Sequence, residues 1–254
     1  IMTTTGYDYP EIDENDEEFI KNKEFLEDYF KTLFPDVEMS EYVKDTVCSS
    51  MNGARTEQYF DIFTGSGSNS KSTFNNLIEK AFGKYAIIVS PETFTKPKKS
   101  ANENGELYRA KGKRRVVANE PNSDADNKLQ SAIMKALVDG ADNKVMVKAM
   151  YEKAFEMAIT FSITIICNDM PDLSSTDGGI ARRLRKVPFD VKFVDEPNPD
   201  NVYQAKLDPD FMNNIGKPEI RDTFIKMLID RWNNRVSTFK KIPVPNKIIE
   251  STAE

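Results

Sequence analysis

The 254-residue chain contains no histidine and only two cysteines. Without histidine there is no Ser/His or Cys/His nucleophile pair and no imidazole base, so any hydrolysis has to rest on carboxylates, a metal ion and Arg or Lys. Cys48 and Cys167 lie far apart in the sequence, and without histidine the chain offers no Cys/His cluster for zinc; two reduced core thiols are predicted. Long hydrophobic runs are missing too: no stretch approaches the roughly 18 apolar residues of a membrane span. The opening Ile1-Met2-Thr3-Thr4-Thr5 lacks the basic and apolar regions of a signal peptide. A cytoplasmic protein, not secreted and with no membrane partner, is expected. Excess positive charge is also absent, since 35 Lys and Arg stand against 41 Asp and Glu, for a net charge of −6. That balance argues against a surface that is basic all over, as a coat or chromatin protein would have.

Hydrophobic residues make up 39% of the chain and charged residues 30%, ordinary for a globular protein. The length suits one large α/β core with helical additions, or two closely joined domains. The charge is unevenly spread. Glu11, Asp13, Glu14, Asp16, Glu17 and Glu18 open an acidic run, while Lys96, Lys98, Lys99, Arg109, Lys111, Lys113, Arg114 and Arg115 form a basic one. Solvated surface is the ordinary explanation of such runs; an acidic exterior with local basic elements also suits a protein that holds a polyanion in a restricted place.

Gly65-Ser66-Gly67-Ser68-Asn69-Ser70-Lys71-Ser72-Thr73 is the most informative stretch. It nearly spells the phosphate-binding loop G-x-x-x-x-G-K-[ST], with Ser70 in place of the last glycine. The chemistry needs clustered backbone N–H groups, a Lys that reaches phosphate oxygens and a hydroxyl on Mg²⁺; Lys71 and Ser72 supply the last two. Tyr59 to Thr64 reads as a strand entering the loop, and Ser72 to Phe82 as a helix leaving it. The alternative is a flexible Gly/Ser turn before a serine-capped helix.

Ahead of the loop, Phe19, Phe25, Leu26, Tyr29, Phe30 and Leu33 have helical spacing and Pro35 ends the pattern; a second helix is expected from about Ser40 to Gly53. Beyond it, Tyr85 to Val89, Lys113 to Pro121 (ending in the acid Glu120) and Phe161 to Cys167 read as short buried strands. Lys128 to Val138 reads as a helix, and Lys144 to Met150 with Ala154 to Ala158 as two strands around a turn. A polar loop from Asp195 leads into a final amphipathic helix from Glu219 to Val236. Such alternation predicts an α/β protein with a central, mostly parallel sheet and its ligand at the carboxyl ends of the strands.

Two further strand ends carry candidate chemistry. Glu120 closes an apolar strand and precedes Pro121, where an acid can hold Mg²⁺ or polarise an attacking water; a plain strand-terminal surface Glu is the alternative. Asn168 follows the third strand, and its amide can bond a γ-phosphate oxygen or that water; a plain turn asparagine is the alternative. Downstream, Asp177 to Arg185 places Arg182, Arg183 and Arg185 on an expected short helix. An Arg of this kind can complete a neighbouring subunit's site by neutralising transition-state charge, although a solvated Arg face is the common case.

Five segments in order, GSGSNSKST, GKRRVVANEP, KALVDGADNKVMVKAMYEKAFEM, ITIICNDMP and DGGIARRLRKVPF, resemble the superfamily 3 helicases within the AAA+ ATPases. The closest branch is the helicase part of primase-helicases of large eukaryotic DNA viruses, phages and plasmids. The resemblance covers roughly residues 17 to 250. It implies an AAA+ P-loop core at 54–195, flanked by an N-terminal helical unit at 1–53 and a C-terminal helical extension at 196–254. It further implies an ATP- and Mg²⁺-dependent ring, usually a hexamer, moving 3′-to-5′ on single-stranded DNA, with a fused or associated primase, in the host cytoplasm or at a viral replication site.

Carried over by position, Gly65, Gly67, Ser68, Asn69, Ser70, Lys71, Ser72 and Thr73 hold the nucleotide. Ser72 and Glu120 hold the metal, and Lys71, Glu120, Asn168 and an arginine finger are catalytic, the finger being Arg183 by preference and Arg182 as second choice. The segment between Glu120 and Asn168 is similar to the family's DNA-contacting hairpin, with Lys148 and Lys153 on phosphates and Tyr151 on a sugar or base. Ser70 is the departure, because the position favours φ > 0. The competing expectations are a P-loop kinase acting on a small molecule and a DNA-binding replication module with a vestigial ATPase site. The chain is expected to be a fragment of a longer protein.

Overall fold

Short apolar segments separated by helices set the architecture. The computed structural model describes residues 3–54, 57–96, 105–119, 128–139, 144–175 and 177–253. Two helices come first. α1 (Glu17–Leu33) starts at Asp16, whose carboxylate accepts from the N–H groups of Glu18 and Phe19, and Glu17 and Glu18 suit the positive end of the helix. α2 (Val37–Ser49) starts at Asp36, which accepts from Glu38 and Met39. The expected start at Ser40 is therefore late: the Asp36 carboxylate caps directly after Pro35, and Ser40 is buried inside the helix.

β1 (Phe60–Thr64), α3 (Lys71–Phe82), β2 (Ala86–Val89), the short α4 (Glu92–Thr95) and α5 (Gly105–Arg109), and β3 (Arg115–Asn119) follow. Next come α6 (Ser131–Val138), β4 (Lys144–Val147), β5 (Phe155–Ala158), β6 (Ser162–Ile166), α7 (Gly178–Ala181) and β7 (Leu184–Pro188). The chain then runs through β8 (Lys192–Val194), β9 (Gln204–Lys206), α8 (Phe211–Ile215), α9 (Pro218–Asn234) and α10 (Asn246–Ala253).

β2, β3, β6, β1 and β7 form one sheet in that spatial order, and all four pairings are parallel. The architecture is thus α/β around a central parallel sheet, as the strand alternation predicts. Side chains alternate across it. Phe60 and Ile62 of β1 join a core built with Leu107, Met134 and Leu137, whereas Phe63 joins a second core with residues of α1, α2, α3 and α9. Because β1 lies between β6 and β7 (Phe63 opposite both Ile166 and Val187), whatever follows β1 sits next to whatever follows β6. β4 and β5 form a separate antiparallel hairpin, anchored through buried Val147 and Met157.

The second core is closed by an ion cluster: Arg231 of α9 lies 2.6 Å from Asp45 and 2.7 Å from Glu41 of α2, and Arg235 lies 3.1 Å from Asp45. Both cysteines are buried and free, as expected. The Cys48 thiol donates to the Leu228 carbonyl, and burial pushes it up to about 12.

Two expectations fail for one physical reason. The predicted arginine helix ends at Ala181, so Arg182 and Arg183 lie in a turn and Arg185 lies in β7. Pairing of Leu184–Pro188 with β1 overrides the local helical pattern. Similarly, the segment read as a loop after Asp195 carries β9 and α8, with β9 pairing in parallel to β8.

Candidate active site

The loop after β1 has positive φ at Gly67 (90°), Ser68 (50°) and Ser70 (64°). Gly67 is required by that backbone. Gly65 is required by close approach, since a Cβ there would lie 1.9 Å from Asn69 Nδ2. Buried Asn69 donates from Nδ2 to the Phe189 carbonyl (3.2 Å) and accepts at Oδ1 from Lys71 Nζ (3.0 Å). Lys71 Nζ also donates to the Gly65 carbonyl (2.5 Å) and to Asn168 Oδ1 (3.4 Å). The Gly65 N–H in turn donates to the Asn168 carbonyl (3.1 Å). The loop and the residue beyond β6 are thus joined around one ammonium group, a juxtaposition that follows from the β1–β6 pairing.

No side chain caps α3 at its N-terminus. Its first-turn N–H groups lack intrahelical acceptors and, with the helix dipole, favour an anion in front of them. Ser72 lies exposed in that first turn. Thr73 turns away, its hydroxyl donating to Met212 Sδ of α8 at 3.0 Å. Ser68 is tied from another side, its carbonyl accepting from the Phe193 N–H at 2.8 Å.

Ser70 keeps the backbone that the missing glycine would adopt, with φ 64° and ψ 11°. For an L-residue this left-handed conformation costs about 1–2 kcal/mol. Its hydroxyl meets the Tyr29 hydroxyl of α1 at 2.9 Å. Tyr29 is buried, and burial raises its phenol pKa, outweighing the Ser70 hydrogen bond, so it remains a neutral hydroxyl. In the sequence Tyr29 reads only as one member of an amphipathic stripe. Nothing local marks its contact with a loop 41 positions away.

A cleft of about 450 Å³ flanks the loop, with Gly65, Asn168, Asp169, Lys186, Asp190 and Lys247 among its walls. Asn119 ends β3 opposite Ile166 of β6. Glu120, the expected acid, lies outside the described residues, as do Lys98 and Lys99.

The two candidate fingers differ. Arg183 is buried, donates to the Gly179 carbonyl (2.7 Å) and forms a short ion pair with Asp139. Arg182 is exposed. On the hairpin, Lys148, Tyr151 and Lys153 fall between β4 and β5. Lys153 is exposed, Lys148 half-buried, and Tyr151 is 98% exposed with φ 65°.

The basic run divides among separate local partners. Lys96 pairs with Glu92 and Arg109 with Glu106, while Arg115 is buried and donates to Asn75. Burial pulls Arg115 down to about 10, against the pull of Asp61 and Glu79.

A protein-family profile described only as a family of unknown function (DUF5906) matches residues 63–183, from the end of β1 to the arginine turn. Over 195 residues the chain is 31% identical to "Putative helicase L207/L206" of Acanthamoeba polyphaga mimivirus, covering 76% of this chain and 20% of that protein. It is 28% identical over 243 residues to "Putative helicase 184R" of Invertebrate iridescent virus 6, covering 88% and 25%. "Putative primase C962R" of African swine fever virus (isolate Warthog/Namibia/Wart80/1980) is 28% identical over 200 residues, covering 76% and 20%. The chain therefore spans about a fifth to a quarter of the length of these relatives. Among solved structures, the apo C-terminal region of NrS-1 superposes with a TM-score of 0.61 at 16% identity, over 93% of this chain and 51% of that one. The chain is thus similar to segments of proteins from large DNA viruses that carry helicase and primase names, and it shares its fold with the NrS-1 region.

Proposed function

We propose that this chain is the ATP-hydrolysing motor module of a replicative DNA helicase of the superfamily 3 type, within the AAA+ ATPases, acting beside a primase in a longer protein. The observation that carries the proposal is the position of Lys71 Nζ, shared between the loop (Gly65 carbonyl, Asn69 Oδ1) and Asn168 at the neighbouring strand end. A cation placed there can leave its carbonyl partners for β- and γ-phosphate oxygens, while Asn168, released from it, orients the γ-phosphate or the attacking water. The helical N-terminus behind Lys71 supplies the fixed positive end for the phosphates. The helicase and primase names of the viral relatives support the same assignment.

One or two protein oxygens suffice to hold Mg²⁺ beside phosphates. The exposed Ser72 hydroxyl fits that demand, and Ser72 with Glu120 would hold the ion, which neutralises developing charge on the phosphates. Among the described residues no group of three or more acidic or cysteine side chains gathers into an alternative metal site. Glu120 is assigned to water activation. Arg182, exposed beyond α7, is the finger offered to the next subunit of a ring, and Arg183 shapes the turn that presents it through Asp139 and Gly179. On the hairpin, Lys148 and Lys153 contact DNA phosphates and Tyr151 stacks on a base.

Hydrolysis of MgATP by Lys71→Ala is expected to fall at least about 10²-fold. Mixing Arg182→Ala with Lys71→Ala protein should restore part of the activity at interfaces that pair two intact half-sites. Unchanged hydrolysis in Lys71→Ala contradicts the proposed site.

A further inference from the structure

We infer, building on the nucleotide site proposed above, that Tyr29 of α1 is a positioning residue for the phosphate loop: its hydroxyl holds Ser70 in a left-handed conformation and so keeps the loop ready to receive phosphate. Three observations carry this. Ser70 has φ 64° without being glycine, and it immediately precedes Lys71, the first residue of α3. Its side chain gives α3 no capping hydrogen bond; instead its hydroxyl lies 2.9 Å from that of Tyr29. Tyr29 itself is fixed, being buried and packed ring to ring against Phe211 (4.7 Å between centroids) and Phe30 (6.2 Å).

A strained residue persists only where its surroundings over-determine it. In the right-handed conformation Ser70 would redirect its own N–H and that of Lys71, two of the donors a phosphate loop aims at its anion. Drawing the serine hydroxyl toward α1 also keeps it from competing for those donors. The hydrogen bond therefore does by tethering what glycine does by having no Cβ, and it makes the loop depend on an N-terminal helix outside the motif.

The test is MgADP titration of the 254-residue protein by calorimetry, with thermal melts as a folding control. Tyr29→Phe should weaken binding about threefold to tenfold, the worth of one hydrogen bond. Ser70→Ala, which keeps the strain and loses the tether, should weaken it by a similar factor. Ser70→Gly should bind at least as tightly as wild type, and adding Tyr29→Phe to Ser70→Gly should then change affinity less than about twofold. A merely structural tyrosine would give the same loss in both backgrounds, and that result overturns the inference. So does Ser70→Gly binding more weakly than wild type, a comparison that decides the matter even if Tyr29→Phe does not fold. Folded wild type that fails to bind MgADP overturns the nucleotide site itself, whereas a binding wild type with additive variants overturns only the role of Tyr29.

Discussion

Ser70 and Tyr151 share nearly the same unusual backbone, φ 64° and 65°, in opposite surroundings. Ser70 lies between a buried tyrosine and the start of α3, in a loop whose Ser68 carbonyl and Asn69 amide are bonded to the segment after β7. Tyr151 sits at the tip of a two-stranded hairpin, 98% exposed, in a turn closed by the Glu152 N–H donating to the Ala149 carbonyl. At the loop, packing from three parts of the chain fixes the strain. At the tip, a turn position that favours glycine carries a large ring out into water. The first arrangement suits a preset anion cradle. The second suits a surface that gains its partner from outside, since tyrosine joins an apolar face to a polar end.

The largest effect is expected behind Ser70. Asp45 is buried beneath Arg231 and half-exposed Arg235, and Glu41 stays 2.7 Å from Arg231, so Asp45→Ala removes charge-assisted hydrogen bonds but leaves Arg231 paired, and should cost about 1.5–3 kcal/mol in urea unfolding. Nothing of that size is expected at the tip. Tyr151→Ala should weaken single-stranded DNA binding by about tenfold, the scale of one lost base stack, measured by fluorescence anisotropy at fixed salt. Tyr151→Gly should lose the same affinity yet melt at or slightly above the wild-type temperature, because glycine relieves the positive φ.

A smaller effect sharpens the contrast through pH. Burial raises the Glu41 carboxyl, but hydrogen bonds and charge from Arg231 and Lys44 outweigh it and hold the group down at about 2. A carboxylate depressed in the folded state stabilises above its unfolded value, near 4.5, and that contribution is lost as pH falls toward 2. The melting temperature of wild type should therefore drop through this window more steeply than that of Glu41→Gln. Partial exposure of the group keeps the difference modest.

The sheet was legible because parallel strands buried on both faces read as continuous apolar runs, as in Arg115–Asn119 and Ser162–Ile166. The loop is legible as a loop because Asn69, Lys71 and Ser72 are neighbours in sequence between a strand and a helix, whereas Asn168 reaches Lys71 only through the β1–β6 pairing. What depended on distant pairing was not legible. Leu184–Pro188 carries Arg185 and Lys186 at partly buried positions and becomes a strand only by lying against β1, so in sequence its arginine reads as helical. Arg115 sat in a basic run that suggested surface, yet its place in β3 buries it. Tyr29 bears no motif at all; its part comes from α1 docking over the loop.

The most direct test of the central claim is the rate of MgATP hydrolysis by this protein with and without single-stranded DNA. Hydrolysis is expected to rise when the strand is added and to lose that rise in Lys148→Ala/Lys153→Ala. Hydrolysis indifferent to DNA, together with DNA binding intact in that double variant, would contradict that claim.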